Sequence, residues 1–323
     1  MTNYLLPRAQ LVDQRLVVAK ARARKRRNKR PRLLLLPLSK PKSNVMPELP
    51  EVESVRLGLS RHCVNASIEK VLVKHPRALH RTPMGAKQFQ DRLKGQEILE
   101  ICRRGKYLWF VLDSDFLVAH LGMSGQFRVD HSSPKHPHAR AVFTLRKLES
   151  ETPLTFLDQR TFGGFLLEDR DGDIPASISH IAPDPFDPAF TIGQVIEKIS
   201  RKDVEIKRLL LDQSLISGIG NIYADEALFR AKIHPRSHGL NLSERQIRTL
   251  LKAARSVMEE ALEVGGTTFD ELFVNVNGES GYFERELAVY QRHGQPCPVC
   301  GTPVQRESFA NRGSHFCPRC QPI

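Results

Sequence analysis

The stretch Met46-Pro47-Glu48-Leu49-Pro50-Glu51-Val52-Glu53 lies well inside the chain but has the features of an N-terminus. A methionine before a small residue is commonly removed. If translation starts at Met46, Pro47 carries a free secondary amine, a nucleophile with a pKa of roughly 8, and Glu48 beside it can transfer protons. In the alternative interpretation, the two prolines only rigidify the start of a helix whose first turn favours acids. The stretch alone favours this alternative, so the rest of the chain has to decide.

The positive charge of the chain is concentrated in its first 45 residues. The 323-residue chain has a formal net charge of +13. Residues 1–45 contain 13 Lys or Arg and one acid and so carry +12, whereas the remaining 278 residues carry only +1. Any nucleic-acid binding by the body of the protein must therefore depend on individually placed cations and not on bulk charge.

Residues 1–45 are expected to be unfolded in isolation, because Arg22–Arg32 is nearly all basic and prolines interrupt the remainder of the segment. This segment has three interpretations: a basic DNA-binding arm, an Arg-rich transit peptide, or an upstream extension that is not part of the mature protein. We favour the third because of the start features at Met46. No apolar run approaches the ~18 to 20 residues of a membrane span, and six cysteines without a disulfide-rich pattern indicate a reducing cytosol.

Hydrophobic periodicity divides the body of the protein into a strand-rich half and a helix-rich half. A helical pattern covers Pro50–Cys63, and a Pro-rich linker lies at 182–188. The predicted strands are 68–73, 98–101, 107–112, 117–121, 127–129, 141–145, 154–157 and 165–167. The predicted helices after the linker are 192–199, 206–212, 221–231 and 243–264. Strands followed by helices predict an α+β protein of two domains, the first an antiparallel sandwich or barrel.

Four cysteines at the C-terminal end form the strongest chemical motif. They are arranged as two CxxC pairs separated by sixteen residues, Cys297 with Cys300 and Cys317 with Cys320, and they can close a tetrahedral shell around one structural Zn²⁺. The alternative, a redox CxxC motif, normally accompanies a βαβ pattern that the chain lacks. Between the pairs, Arg312 is a candidate phosphate contact at a hairpin tip, although an arginine there is more often a solvated charge.

Other motifs are ambiguous when each is taken alone. The glycine-bearing turn 213–221 runs into a helix and is either a phosphate-binding helix start or a packing joint. The cations at 103–106 precede a strand and are usually solvated. The Gly-rich turns 121–125 and 158–164 present large side chains that are either core residues or wedges for a base stack from which one base has been extruded. These side chains are Met123, Arg160 and Phe162.

Taken together and in order, the motifs resemble those of bacterial formamidopyrimidine-DNA glycosylase, a repair enzyme for oxidised purines. The matching segments are 46–53, 103–108, 120–125, 158–164, 218–226, 265–268, 281–283 and the four-cysteine tail. The resemblance covers residues 46–321. The start Pro-Glu-Leu-Pro-Glu is less similar to that of the related endonuclease VIII.

The resemblance implies an α+β architecture with DNA bound in a cleft. An N-terminal helix and β-sandwich would form a catalytic domain at 46–180, a helix–two-turn–helix DNA-binding domain would occupy 190–285, and a zinc finger would occupy 286–323. Residues 1–45 would be a basic extension outside the family pattern. The implied partner is double-stranded damaged DNA, bound by a monomer with one structural zinc in the bacterial cytosol and associated with the nucleoid.

The resemblance also implies the catalytic residues. The neutral amine of Pro47 would attack C1′ of the damaged nucleotide, expel 8-oxoguanine or a formamidopyrimidine, and leave an iminium link to the opened sugar. Glu48 would act as general acid and base. The iminium acidifies the 2′ hydrogen, so that β- and δ-elimination can cut both flanking phosphates. Lys106 would donate the proton linked to β-elimination, and Arg312 would be linked to δ-elimination.

A second set of residues is implied to contact DNA. His136, Arg160, Lys207 and Asn221 would bind the duplex, and Met123, Arg160 and Phe162 would fill the space of the flipped base. The loop 274–282 would close over that base. The chain departs from the family pattern where two acids, Asp203 and Glu205, precede Lys207.

Two alternatives remain open. If residues 1–45 persist, the Pro47 nitrogen is an amide and cannot form the iminium, so the chain would be a catalytically inactive zinc-finger protein that binds DNA. The milder alternative is an endonuclease VIII-like enzyme for oxidised pyrimidines.

Overall fold

A computed structural model describes residues 46–263 and 287–323. The predicted order of a helix, a β-sandwich, a helical unit and a cysteine-bearing hairpin is confirmed within these ranges. Predictions for 1–45, 265–268 and the 274–283 region lie outside the described residues. No helix among the residues described is both long and apolar enough to cross a bilayer.

The elements are numbered in chain order. The α-helices are α1 (Leu49–Cys63), α2 (Ala86–Leu93), α3 (Ile192–Ser200), α4 (Ile206–Leu211), α5 (Asn221–Ala231) and α6 (Glu244–Glu263). The strands of the sandwich are β1 (Ala66–Val73), β2 (Glu97–Arg104), β3 (Tyr107–Leu112), β4 (Asp115–His120), β5 (Gly125–Val129), β6 (Ala139–Lys147), β7 (Ser150–Asp158) and β8 (Gly164–Asp169). The C-terminal hairpin consists of β9 (Gln305–Phe309) and β10 (Arg312–Phe316).

The eight strands form one antiparallel sheet with the order β5-β7-β6-β1-β2-β3-β4-β8. The sheet folds over on itself, because strands far apart in this order touch through aromatic rings. The ring of Phe127 on β5 lies 6.1 Å from that of Phe165 on β8, at the opposite edge, and 5.8 Å from that of Phe110 on β3. Contacts between the two edges make the sheet a sandwich with a buried aromatic core.

Helix α1 belongs to two hydrophobic cores at once. Val52, Val55 and Leu59 pack into the sandwich core, which confirms their predicted helical spacing. Leu49, in the first turn, is completely buried among the residues of the helical unit. The residues just before α1 therefore lie where the sandwich meets the helical unit.

Helix α2 was absent from the sequence prediction. It has eight residues, and only Phe89 and Leu93 are buried. Two apolar anchors one turn apart give too short a pattern to separate a helix from a loop, so the sandwich core that receives Phe89 decides the conformation. The strands are also longer than predicted, as β2 shows by continuing through Arg104.

Replacing Phe165 with alanine should lower the free energy of unfolding by about 3–5 kcal/mol, because the ring is fully buried and contacts the rings of Phe127 and Phe156 at the opposite edge of the sheet. Urea denaturation measures the change. Leu148→Ala is the matched control, since Leu148 is 91% exposed and its truncation should cost less than about 0.5 kcal/mol. Similar losses for the two variants would contradict a sandwich closed through Phe165.

Candidate active site and nucleic-acid interface

The carboxylate of Glu48 joins the start of α1 to the start of α5. One oxygen accepts the Gly220 N–H at 2.8 Å, and the other accepts the Ile222 N–H at 2.9 Å. The first N–H groups of a helix have no partner within the helix, so a carboxylate there satisfies them and interacts favourably with the helix dipole. The residue next to Pro47 is thereby fixed against a helix more than 170 positions later in the chain.

Two buried groups support Glu48 from the side. The main-chain N–H of Glu48 donates to a Glu51 carboxylate oxygen at 3.0 Å, as in a capping box. The other oxygen of Glu51 accepts the Tyr223 hydroxyl at 2.8 Å. Sequence reasoning missed both supporting residues, although the spacing of three between Glu48 and Glu51 is a recognisable capping signal.

The glycines of the turn before α5 are required by close approach. A Cβ atom on Gly220 would lie 2.2 Å from the carboxyl carbon of Glu48, and one on Gly218 would lie 2.4 Å from the Leu49 side chain. Gly218 also has a φ of +90°, a conformation that side chains disfavour. The turn therefore receives the start of α1, which favours the packing-joint interpretation, because the N–H groups at the start of α5 are occupied by Glu48.

Glu48 and Lys106 influence each other's protonation. Burial raises the pKa of Glu48 to about 7, against the opposing charge of Lys106. Lys106, in the turn between β2 and β3, has its pKa lowered by burial, with Glu48 opposing that shift and Arg312 adding to it. A carboxyl group that titrates near neutrality beside a lysine that releases its proton more easily can carry out acid and base catalysis.

Arg312 begins β10 immediately after the hairpin tip. Ala310 and Asn311 at the tip have positive φ values of 44° and 62°, and the Arg312 side chain is exposed. The next carbonyl, that of Gly313, accepts the Asn221 amide at 2.9 Å. The hairpin is therefore fixed to the first residue of α5, which places Arg312 on the same side of the molecule as Glu48.

Lys207, predicted to contact DNA, is not brought to the surface. Its side chain is 0% exposed, and its ammonium lies 2.5 Å from Asp225 and 3.4 Å from the Gly313 carbonyl. Asp225 also accepts the His315 N–H at 2.9 Å. Burial lowers the pKa of Lys207, while Asp225 opposes that shift. The ammonium group thus holds the hairpin from within the protein.

The structure brings the three expected wedge residues together. The Arg160 guanidinium lies 3.7 Å from the Met123 sulfur and 5.8 Å from the centre of the Phe162 ring. Phe162 is 47% exposed, which is unusual for so large an apolar side chain. The buried carboxylate of Asp158 shapes the turn by accepting the Arg160 N–H at 3.2 Å and the Gly163 N–H at 2.8 Å.

His136 lies in the connection between β5 and β6. Along the chain it is separate from Glu48 and from the turns that carry the wedge residues. It is exposed, and its Nδ1 accepts the His138 N–H at 3.1 Å. Partial desolvation and the neighbouring His138 and Arg128 lower the pKa of His136. The imidazole can therefore offer a hydrogen bond to a phosphate without carrying a permanent charge.

The four cysteines fit a structural zinc ion. Their sulfurs all lie within 4.8 Å of one another, and two of the separations are 3.4 Å (Cys300 to Cys317) and 3.9 Å (Cys297 to Cys320). Thiolates bound to one tetrahedral zinc at about 2.3 Å are about 3.8 Å apart. Cys297, Cys300, Cys317 and Cys320 would hold the ion with no open position, so its contribution is to hold the hairpin and not to activate water.

A β-sandwich joined to a helical unit with a four-cysteine hairpin, and carrying an exposed Arg–Phe cluster, indicates a nucleic-acid-binding protein. Three family models match the chain. They are the formamidopyrimidine-DNA glycosylase N-terminal domain at 46–165, the formamidopyrimidine-DNA glycosylase H2TH domain at 181–272, and the zinc finger found in FPG and IleRS at 294–323. The chain therefore belongs to the formamidopyrimidine-DNA glycosylase family.

Curated relatives and solved structures agree with this assignment. Formamidopyrimidine-DNA glycosylase of Acidothermus cellulolyticus is 54% identical over 282 residues, which is 86% of this chain and 98% of the relative. That of Thermobifida fusca is 54% identical over 290 residues, also 86% of this chain and 98% of the relative. The Lactococcus lactis Fpg bound to DNA with an abasic site superposes with a TM-score of 0.76 at 34% identity, covering 85% of this chain and 100% of the other.

Glu48→Gln should remove a pH dependence of stability. Because the pKa of Glu48 rises from 4.5 to about 7 on folding, its stabilising effect is complete below 4.5 and is lost as the pH rises to 7, by on the order of 3 kcal/mol. Unfolding free energies measured from pH 4 to 8 should therefore fall more steeply for the wild type than for the variant.

Glu53→Gln is the control of opposite sign. Burial favours its neutral form, but Arg56 and Arg103 outweigh that effect and lower the pKa of Glu53, so it stabilises the protein above its unfolded pKa and loses that effect as the pH falls. Identical pH profiles for Glu48→Gln and the wild type would contradict the assignment of a raised pKa to Glu48.

Purified protein should contain one zinc per chain, measured by atomic emission. Cys317→Ala should lose the metal and lower the melting temperature, because binding of a structural zinc contributes directly to folding. Cys102→Ala is the control, since Cys102 lies on β2, outside the cluster, and the variant should keep its zinc. Full zinc content in Cys317→Ala would contradict the four-thiolate site.

Proposed function

We propose that this chain is a base-excision repair enzyme that removes 8-oxoguanine and formamidopyrimidines from DNA and then cuts the strand at the resulting abasic site. The observation that carries the proposal is the buried Glu48 carboxyl, whose pKa of about 7 suits proton transfer at physiological pH, directly beside Pro47. Membership of the formamidopyrimidine-DNA glycosylase family supports both activities. The names of the relatives state the glycosylase activity but not the strand cleavage.

The reaction begins at the nitrogen of Pro47 once Met46 has been removed. The lone pair of the neutral amine attacks C1′, the glycosidic bond breaks, and the base leaves with its bonding electrons and takes up a proton. Ring opening of the sugar gives a cationic iminium that links Pro47 to C1′. Pro47 lies directly before α1, where α1 meets the helical unit.

Glu48 is suited to moving protons at the sugar, because its carboxyl group can be either neutral or ionised near pH 7. The iminium withdraws electrons and acidifies the 2′ hydrogen, so that loss of this hydrogen expels the 3′ phosphate in β-elimination. Lys106, with its lowered pKa, supplies the proton linked to this step. We assign to Arg312 the stabilisation of the second phosphate as it leaves in δ-elimination.

DNA is held by a small number of placed cations and polar groups. We assign phosphate or base contacts to His136, Arg160 and Asn221, and the filling of the vacated base stack to Met123, Arg160 and Phe162. Lys207 acts through the Gly313 carbonyl and not through DNA. We further propose that the catalytic domain spans 46–180, the helix–two-turn–helix domain 190–285 and the zinc finger 286–323.

The working form is proposed to start at Pro47. Two observations support this start: the family match begins at residue 46, and the curated relatives align almost completely with 86% of this chain. We also propose that the enzyme acts on chromosomal DNA in the bacterial cytosol, since its relatives from Acidothermus and Thermobifida are bacterial. A form that retains residues 1–45 would bind DNA without catalysis.

The decisive experiment is borohydride trapping. Protein that begins at Pro47 should form a covalent adduct with a duplex containing 8-oxoguanine, because borohydride reduces the iminium to a stable amine. Mass spectrometry should place the adduct on Pro47. The full 323-residue chain with an intact Met46–Pro47 bond is the matched control and should form none.

A missing adduct for the Pro47 form would refute the glycosylase proposal and favour the DNA-binding alternative. A duplex carrying an oxidised pyrimidine distinguishes the endonuclease VIII-like alternative. We expect single-turnover base release to be faster from 8-oxoguanine, and the reverse order would contradict the assigned substrate class.

A further inference from the structure

The turn that carries Lys106 is short and tightly enclosed. Gly105, directly before Lys106, has a φ of +57°, and a Cβ atom on it would lie 2.7 Å from Ser217 in the turn before α5. The main chain of this turn therefore packs against the helical unit so closely that residue 105 has no room for a side chain. Any movement of Gly105 would move the lysine next to it.

A buried aspartate from the interdomain linker holds one side of Gly105. Asp184 is 1% exposed, and its Oδ2 accepts the Gly105 N–H at 3.0 Å. Its Oδ1 accepts the Phe186 N–H at 3.1 Å, which fixes the carboxylate within its own loop. Sequence reasoning assigned this Pro-rich segment only a linking role.

Arg103 holds the other side of Gly105. Its guanidinium donates to the Gly105 carbonyl at 2.9 Å and to the same Asp184 oxygen at 2.7 Å. It also donates to Glu53 on α1 at 2.9 Å. Both main-chain polar groups of Gly105 are therefore bound by one buried ion pair, and that pair is itself anchored to α1.

We propose that Asp184, acting with Arg103, is a positioning residue that fixes Lys106 in the active site. The inference rests on the proposed function, because it assumes that Lys106 takes part in the reaction. Asp184 touches no reacting atom and acts through the main chain of Gly105. It also connects the linker between the sandwich and the helical unit to the geometry of the lysine turn.

The neighbouring ion pair provides a matched control. Asp187 lies in the same linker and pairs with Arg104 at 3.6 Å. Arg104 directs its other contact to the Ile181 carbonyl, and neither contact involves the main chain of Gly105. Asp187→Asn therefore removes a charge of the same sign from the same linker. It leaves intact the clamp on Gly105, which is the ion pair of Asp184 and Arg103.

The test is a double-mutant cycle with protein that begins at Pro47. Single-turnover β-elimination, followed as cleavage of a duplex that carries a preformed abasic site, is measured for the wild type, Asp184→Asn, Lys106→Ala and the double variant. Asp184→Asn should slow the reaction by roughly ten- to a hundredfold, the cost of misplacing a reacting group by about 1 Å. In the Lys106→Ala background the same substitution should cost less than about twofold, because residues that act as one unit are not additive.

Thermal unfolding measurements test whether each variant is folded. Should Asp184→Asn fail to fold, Arg103→Lys tests the same clamp, since lysine keeps the charge facing Asp184 and Glu53 but lacks the planar fork that reaches Gly105. It should show the same dependence on Lys106. Asp187→Asn should remain within about twofold of the wild type in both backgrounds.

Four results would overturn the proposal. They are a rate for Asp184→Asn within twofold of the wild type, losses that multiply in the double variant, an equal loss in Asp187→Asn, and a wild-type rate for Lys106→Ala. The last result would remove any lysine effect for Asp184 to act through. Covalent trapping at Pro47 is independent of all four, so the proposed function is tested separately from the clamp.

Discussion

The carboxylate of Glu48 at the N-terminus of α5 is the interaction on which the rest of the site depends. It satisfies the N–H groups of Gly220 and Ile222, which would otherwise be buried without partners at a cost in stability. Because Glu48 is the residue after Pro47, the same bonds set the position of the proposed nucleophile. A helix cap in this protein therefore also serves as the link between its two halves.

The proposed reacting groups share one structural solution. Pro47 and Lys106 lie on short irregular segments, and Arg312 begins β10 directly after the hairpin tip. Each position is held by buried groups from another part of the chain. The Gly313 carbonyl beside Arg312 is bound by Asn221 and Lys207, much as Gly105 beside Lys106 is bound by its ion pair. This arrangement explains how residues 46–323, with a net charge near zero, can present cations to DNA without a broadly basic surface.

Local patterns identified the elements and the metal site, but not the contacts between distant residues. The two CxxC pairs and the spacing of Val52, Val55 and Leu59 are short-range signals, and both led to correct structural predictions. The buried position of Lys207 depends on Asp225 and on a carbonyl more than 100 residues away, and nothing near Lys207 in the sequence signals it. The contacts of Asp184 could not be predicted for the same reason, since the residues that it binds lie about 80 positions earlier.

The packing of α1 into both hydrophobic cores has a practical consequence for producing the protein. A peptide fused before Pro47 would convert its amine to an amide at the point where α1 enters both cores. The opposite end of the chain is open, since Ile323 is 89% exposed. A purification handle belongs at that end, and a preparation with a permanent N-terminal fusion would be a folded ligand for DNA with no chemistry of its own.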